Sequence, residues 1–409
     1  MRWDSLLLSD ADEGGAAACD APGRAAAARS AAAGGAAARS AAAGAAAARG
    51  GSVGGVPVRA APVALTLFDR ASVTRTFDTP GFRGITFHEV HARSLISKVP
   101  DASRVPFGWT INPYRGCSHA CAYCFARNTH TYLDFDAGHD FDSQIVVKVN
   151  AAELLRKELR SPRWAGEHIA MGTNVDCYQR AEGRYRLMPG IITALTDAAN
   201  PFSILTKGTL ILRDLELLVR AAEVTDVGLN VSVGIIDKSI SRSIESGAPS
   251  PERRLAVCAA FARRGLRCGV LMGPVLPFLS DSPAQLDAAV RKIAAAGAAH
   301  VSPIVLHLRP GAREWFQRWL HQSHPELADS YRELYGGRAY APASYQRTIA
   351  EQVAELARKH GVGRVSPAGA RRLRAPRSAR PGPAAGSPAR SAAAPDAAGA
   401  AAGTQLSLL

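Results

Sequence analysis

Between residues 168 and 307 short apolar runs alternate with longer amphipathic stretches. Strand-like runs stand at 168–172 (H-I-A-M-G), 202–206 (F-S-I-L-T), 226–234 (D-V-G-L-N-V-S-V-G), 268–273 (C-G-V-L-M-G) and 301–307 (V-S-P-I-V-L-H). Helical patterns fall between them at 184–199, 213–222, 251–264 and 283–297. A strand followed by a helix, repeated at about 30-residue spacing, predicts βαβ units and a parallel sheet. The run V-P-F-G-W-T-I-N-P-Y upstream adds one more strand, making six. Further strands are expected at 84–90 and near 145–149. A helix is expected at 151–160, with Leu154, Leu155 and Leu159 on one face and Asn150 as its N-cap.

The ends lack this pattern. Residues 1–62 are dominated by Ala, Gly and Arg, and residues 367–409 by Ala, Pro, Arg, Ser and Gly. Neither has enough large apolar side chains to offset the entropy of ordering, so both are expected to be disordered. The remainder, about 300 residues, suits one large α/β domain. It divides into a lead-in (63–110), a main domain (111–310) and a helical segment (311–366). In that segment Trp315, Trp319, Tyr331 and Tyr335 are spaced four apart in pairs. Helical spacing favours a core role for them over a cap or substrate platform above the barrel.

No run of about 18 apolar residues is present, so no membrane span is expected. The first residues, M-R-W-D-S-L-L-L-S-D-A-D-E, put acids where the apolar core of a signal would continue. Seven cysteines, three of them clustered, fit a reducing cytoplasm better than a disulfide scaffold. The net charge is +14, and 367–409 carries six arginines against one aspartate. That balance suits nucleic acid or another polyanion as partner. An Arg- and Ala-rich composition gives the same excess without any partner.

The chemistry concentrates at 112–127, N-P-Y-R-G-C-S-H-A-C-A-Y-C-F-A-R. Cys117, Cys121 and Cys124 form a C-x3-C-x2-C run led in by Gly116. Three protein ligands leave one coordination position open for chemistry, whereas structural zinc closes with four. Soft sulfur favours an iron–sulfur cluster or zinc over hard cations. The alternatives are a zinc site completed by His119 or His130, or three core cysteines; the spacing is not a usual zinc spacing.

With Tyr123 directly before the last cysteine, this stretch resembles the cluster loop of radical S-adenosylmethionine (radical SAM) enzymes. The resemblance implies an α/β fold, a partial (β/α)6 barrel. It further implies a [4Fe–4S] cluster on the three cysteines, with S-adenosylmethionine on the fourth iron and Tyr123 beside its adenine. One-electron reduction would then cleave S-adenosylmethionine to a 5′-deoxyadenosyl radical that abstracts hydrogen from a substrate. An electron donor of the flavodoxin or ferredoxin kind is implied. The further motifs G-T-N-x-D-x-Y-Q-x-x-E, L-T-K-G-T-L-I-L-R-D and A-P-S-P-x-x-R-L, within 80–345, are similar to the spore photoproduct lyase-like branch, sometimes labelled DNA repair photolyases. Within it the chain looks most like an actinobacterial subgroup. The implied substrate is nucleic acid, in repair or modification. The alternatives are a radical SAM enzyme acting on a peptide or small molecule, and a cluster-bearing DNA-binding protein without turnover.

In parallel barrels the chemistry sits at the C-terminal strand ends. That rule selects Asp176 and Glu182 after the second strand, Lys207 after the third and Ser232 in the fourth. Carboxylates suit the ammonium and ribose diol of S-adenosylmethionine, and a lysine suits its carboxylate. Cys177 is a candidate hydrogen donor, since the spore lyase uses a cysteine near the end of the same strand. Similar sequences commonly read D-P-Y-Q where this one reads D-C-Y-Q, so the other reading is a small strand-end residue. Cys258 and Cys268 read as core. The final G-T-Q-L-S-L-L resembles the pentapeptide that docks bacterial repair proteins on the sliding clamp. Gln405 would supply hydrogen bonds and Leu406, Leu408 and Leu409 the apolar contact; the usual last aromatic is missing.

Overall fold

The structure, a computed structural model, describes residues 72–100, 103 and 105–363. Eleven strands are present among them: β1 (Val73–Thr76), β2 (Thr86–Val90), β3 (Ile96–Lys98), β4 (Trp109–Ile111), β5 (Tyr114–Arg115), β6 (Gln144–Lys148), β7 (Ile169–Met171), β8 (Phe202–Thr206), β9 (Val227–Ser232), β10 (Cys268–Val275) and β11 (His300–Val305). The main sheet runs β11-β10-β9-β8-β7-β4-β3. Its six strands from β4 to β11 are parallel, and β3 closes the β4 edge antiparallel. Each strand lies beside its sequence neighbour in this series, with helices between, as in a partial β/α barrel. Helices Leu187–Asp197, Leu215–Val224, Pro251–Arg263 and Pro283–Ala295 match the predicted stretches.

The sheet's two faces differ. Outward positions such as Phe202, Ile204, Leu229, Val231 and Val270 are buried and apolar, packed beneath the helices. Inward positions are smaller and more polar. Pairing register sets Ala170, Ser203 and Gly228 side by side, and one step along sets Leu205, Asn230, Gly269 and His300 side by side.

The expected strands at 84–90 and near 145–149 are β2 and β6, which join a separate sheet, β1-β2-β6-β5. Two expectations are corrected. Asn150 is the residue before helix Ala151–Leu159 but does not cap it. Its side chain instead accepts from Ala92 N and donates to Ala92 O, each at 2.9 Å, anchoring the lead-in. The stretch 184–199 breaks at Arg186, whose left-handed backbone (φ 50°) separates Arg180–Tyr185 from Leu187–Asp197.

The segment after the barrel forms helices Ala312–Ser323, Ala328–Tyr335 and Ala343–Lys359. Tyr331 and Tyr335 stack at 6.0 Å and donate to Pro277 O and Leu306 O. Trp319 donates to Ser243 Oγ at 2.8 Å. These three are core: the tyrosines tie the helices to the segments after β10 and β11, and Trp319 to helix Lys238–Ile244 after β9. Trp315 is half-buried, flanked by the guanidiniums of Arg127 and Arg318.

Candidate active site

The loop after β5 is held mainly through its backbone; Cys121 Sγ makes one long contact, 3.9 Å, to His119 O. Gly116 has φ +76°, and a Cβ there would lie 2.7 Å from Gln144 O and 2.9 Å from His130 Cε1, so glycine is required. Cys117 N donates to Phe141 O, Ala122 N to Ile244 O, and Gly247 N to His119 O. Cys121 forms an isolated antiparallel bridge with Glu245. Arg127, fully buried, donates to Cys121 O through Nε and Nη2 at 3.1 and 2.9 Å and to Gly138 O at 2.7 Å. Asp142 pairs with it at 2.8 Å.

Cys117, Cys121 and Cys124 line one cavity of about 440 Å³ at the C-terminal ends of the barrel strands. Tyr123, Asp176, Lys207 and Ser232 line the same cavity. The Tyr123 hydroxyl donates to Glu245, which is ion-paired with buried Arg254. Lys207 Nζ lies 5.7 Å from the Tyr123 ring centroid. Ser232 Oγ donates to Gly273 O at 3.0 Å. Asp176 holds the local backbone: it accepts from Tyr178 N (2.8 Å), Thr206 Oγ1 (2.6 Å) and Lys207 N (2.6 Å).

Two expected residues are not brought to the cavity. Glu182 is fully buried and accepts from Tyr114 OH (2.6 Å), Arg213 (2.6 Å), Leu187 N (3.0 Å) and Met188 N (3.1 Å). Cys177 is also fully buried and absent from the cavity wall. Its neighbours on either side anchor the turn, Asp176 by accepting from Thr206 Oγ1 and Tyr178 by donating to Asp214.

The motif after β7 thus clasps the cysteine loop at three points. Glu182 holds Tyr114, Gln179 accepts from Ser118 N and donates to Gly116 O at 2.9 Å each, and Asp176 sits 3.4 Å from His119 Nδ1. Arg213 and Asp214, from L-T-K-G-T-L-I-L-R-D, complete it by binding Glu182 and Tyr178. Sequence reasoning missed Gln179, Arg213, Glu245 and Arg254 as site-forming groups. Three of them lie inside motifs already singled out, and Glu245 lies just ahead of A-P-S-P-x-x-R-L. His307, in the strand-end run H-L-R-P-G, also lines the cavity, its ring edge-on to Tyr340 at 4.5 Å.

Burial raises all three loop thiols, Cys121 to about 12, with neighbouring thiols and Asp176 adding to the rise at Cys117. Thiolates form here when cationic metal compensates them. Burial also lowers His119 to about 4, leaving it neutral. The two histidines of the zinc alternative are each held through one ring nitrogen: His119 Nδ1 lies 3.4 Å from Asp176, and His130 Nε2 is 2.9 Å from Gln144 O. Three soft sulfurs on one cavity wall, with no carboxylate in the run, fit a cluster that leaves one iron open.

The sequence profile of the radical SAM superfamily matches residues 111–289. An uncharacterized protein of Mycobacterium tuberculosis is 52% identical over 297 residues, 73% of this chain and 87% of that one. One from Methanocaldococcus jannaschii is 29% identical over 185 residues, 45% of this chain and 65% of the other. In fold the chain is similar to spore photoproduct lyase complexed with dinucleoside spore photoproduct, with a TM-score of 0.51 at 16% identity over 69% of this chain and 83% of that one. The chain belongs to the radical SAM superfamily and is a radical SAM enzyme, and the family implies S-adenosylmethionine and an iron–sulfur cluster. Among the described residues no helix is long and apolar enough to cross a membrane.

Proposed function

We propose that Cys117, Cys121 and Cys124 hold a [4Fe–4S] cluster, that S-adenosylmethionine binds in the cavity beside it, and that the substrate is nucleic acid. The observation carrying this reading is that three thiols, an aromatic ring and an unpaired lysine open onto one cavity at the strand ends. When bound, the cluster and S-adenosylmethionine supply one-electron cleavage and a radical able to take hydrogen from carbon.

The chain's own residues bind and orient. Lys207 makes no ion pair among the described residues, so its ammonium is available to a ligand carboxylate. Tyr123 offers its ring to the cavity while Glu245 and Arg254 fix its hydroxyl. Apolar wall residues such as Phe107, Leu205 and Ile304 exclude water from the reacting centre.

The nucleic-acid reading is supported by the +14 charge and by the fold's likeness to a lyase complexed with a dinucleoside photoproduct. A flavodoxin or ferredoxin supplies the electron. Its test is DNA binding by chain ending at residue 366: affinity that survives this truncation and falls with salt is expected. Binding lost with the tail reduces it to non-specific charge. The run Gln405–Leu409 lies outside the described residues; as a clamp-docking segment it is tested by pull-down, and capture unchanged by Gln405→Ala with Leu406→Ala contradicts it.

A further inference from the structure

The cavity that starts at the thiols continues down inside the barrel. In closed β/α barrels the inward layers are filled by bulky branched side chains. Here the layers are Ala170, Ser203 and Gly228, then Leu205, Asn230, Gly269 and His300, then Ser232, Leu271 and Ser302. Ser203, Gly228, Asn230, His300 and Ser302 all line the cavity. The glycines are needed there. A Cβ on Gly269 would fall 2.0 Å from His300 Nε2 and 2.4 Å from Asn230 Oδ1, and one on Gly228 would lie 2.9 Å from Ser203 Cβ.

His300 Nε2 and Asn230 Oδ1 are 3.1 Å apart, and with the amide oxygen facing the ring Nε2 is the nitrogen that carries the proton. That leaves the Asn230 amide donors and His300 Nδ1, an acceptor, without protein partners among the described residues. The hydroxyls of Ser203 and Ser302 are likewise unused. Burial and nearby Arg267 lower His300, keeping it neutral. The inner chamber therefore offers hydrogen bonds of both senses and no formal charge.

We propose that this inner chamber is a second subsite, taking the base of a nucleotide substrate whose edge is read by Asn230 and His300. This rests on the nucleic-acid reading above. Gly228, Leu205 and Leu271 line the chamber and offer a planar ring flat, apolar contact, while Gly269 makes room for the His300–Asn230 pair itself. An uncharged donor–acceptor pair matches a base edge, whereas a phosphate or carboxylate would need a cation the chamber lacks. Within a polymer the base would have to leave its stack to reach this depth.

The test uses cluster-loaded full-length protein saturated with S-adenosylmethionine. Binding of the four deoxynucleosides, and of base-free 2-deoxyribose 5-phosphate, is measured by equilibrium dialysis. At least one deoxynucleoside is expected to bind saturably and the base-free sugar phosphate not to bind. Ser203→Leu, which fills the chamber, and His300→Ala, which removes the edge contact, should each weaken binding at least tenfold. S-adenosylmethionine affinity should stay within twofold; if Ser203→Leu does not fold, His300→Ala and Asn230→Ala carry the comparison. Failure of every deoxynucleoside to bind, or binding unchanged in the variants, overturns the subsite. Oligonucleotide binding that persists without nucleoside binding rejects the chamber but leaves the nucleic-acid reading standing. Chamber-dependent nucleoside binding with no oligonucleotide binding keeps the chamber and rejects that reading.

Discussion

Glu182 and Lys207 follow neighbouring strands, β7 and β8, yet their surroundings are opposite. Both oxygens of Glu182 are taken by protein donors, namely a phenol, a guanidinium and two backbone amides. Lys207 Nζ makes no hydrogen bond or ion pair among the described residues; it lies 5.7 Å from the Tyr123 ring centroid, and its charge acts on Glu245 and Cys121. The sets to which they belong divide the same way. Behind the loop, Tyr114, Gln179, Glu182, Arg213 and Asp214 satisfy one another and fix the loop's path. In front, Lys207, His307, Asn230 and His300 keep hydrogen-bonding capacity toward the cavity. A polar residue at a strand end is thus a scaffold or a ligand group according to whether its atoms are already used, and position alone does not distinguish them.

The comparison breaks most visibly in the closed set. Arg254→Met strands the Glu245 carboxylate in a buried site and should cost about 3–5 kcal/mol, read by urea denaturation. Glu182→Ala leaves several buried donors unsatisfied, at about 1–3 kcal/mol each before relaxation. Its loss should appear in stability, with S-adenosylmethionine affinity per loaded cluster held within twofold. Lys207→Ala should do the reverse: stability changes by less than about 1 kcal/mol, while S-adenosylmethionine affinity falls about tenfold or more for a lost charge-assisted bond.

A pH titration sharpens the same division. Burial alone would raise Glu245, but Arg254, Lys207 and the hydrogen bonds from Arg254 and Tyr123 outweigh it and hold the carboxyl at about 2. A carboxyl depressed on folding contributes stability above its unfolded value of about 4.5, and that contribution is lost as pH falls toward 2. Stability should therefore decline with acid over that window, and Glu245→Gln should flatten the decline. The smallest effect is expected for Tyr123→Phe, about 1 kcal/mol for one hydrogen bond removed.

Much of the barrel was legible because strand–helix alternation survives in the sequence as period and punctuation. Runs 202–206 and 268–273 sit on β8 and within β10. Of the small sheet β2 and β6 were legible as strands but their pairing was not, since β5 has two residues and its pairing with β6 spans the whole cysteine loop. The three cysteines, singled out by spacing, Tyr123, by resemblance, and Lys207, by strand-end position, line one cavity. Glu182, selected by the same strand-end rule, lies behind the loop instead of on the cavity wall, because that rule does not say which way a side chain faces. The inner chamber had a signal that went unused. In V-G-L-N-V-S the apolar positions alternate with Gly, Asn and Ser, although a barrel strand covered on both faces ordinarily reads as a continuous apolar run.

The most direct test of the account is anaerobic reconstitution with iron and sulfide, followed by EPR of the reduced protein with and without S-adenosylmethionine. A [4Fe–4S]⁺ signal that shifts on addition, persists in Cys177→Ala and vanishes in Cys121→Ala is the predicted result. A colourless protein holding one tetrahedral zinc, or an unaltered signal in Cys121→Ala, would contradict it.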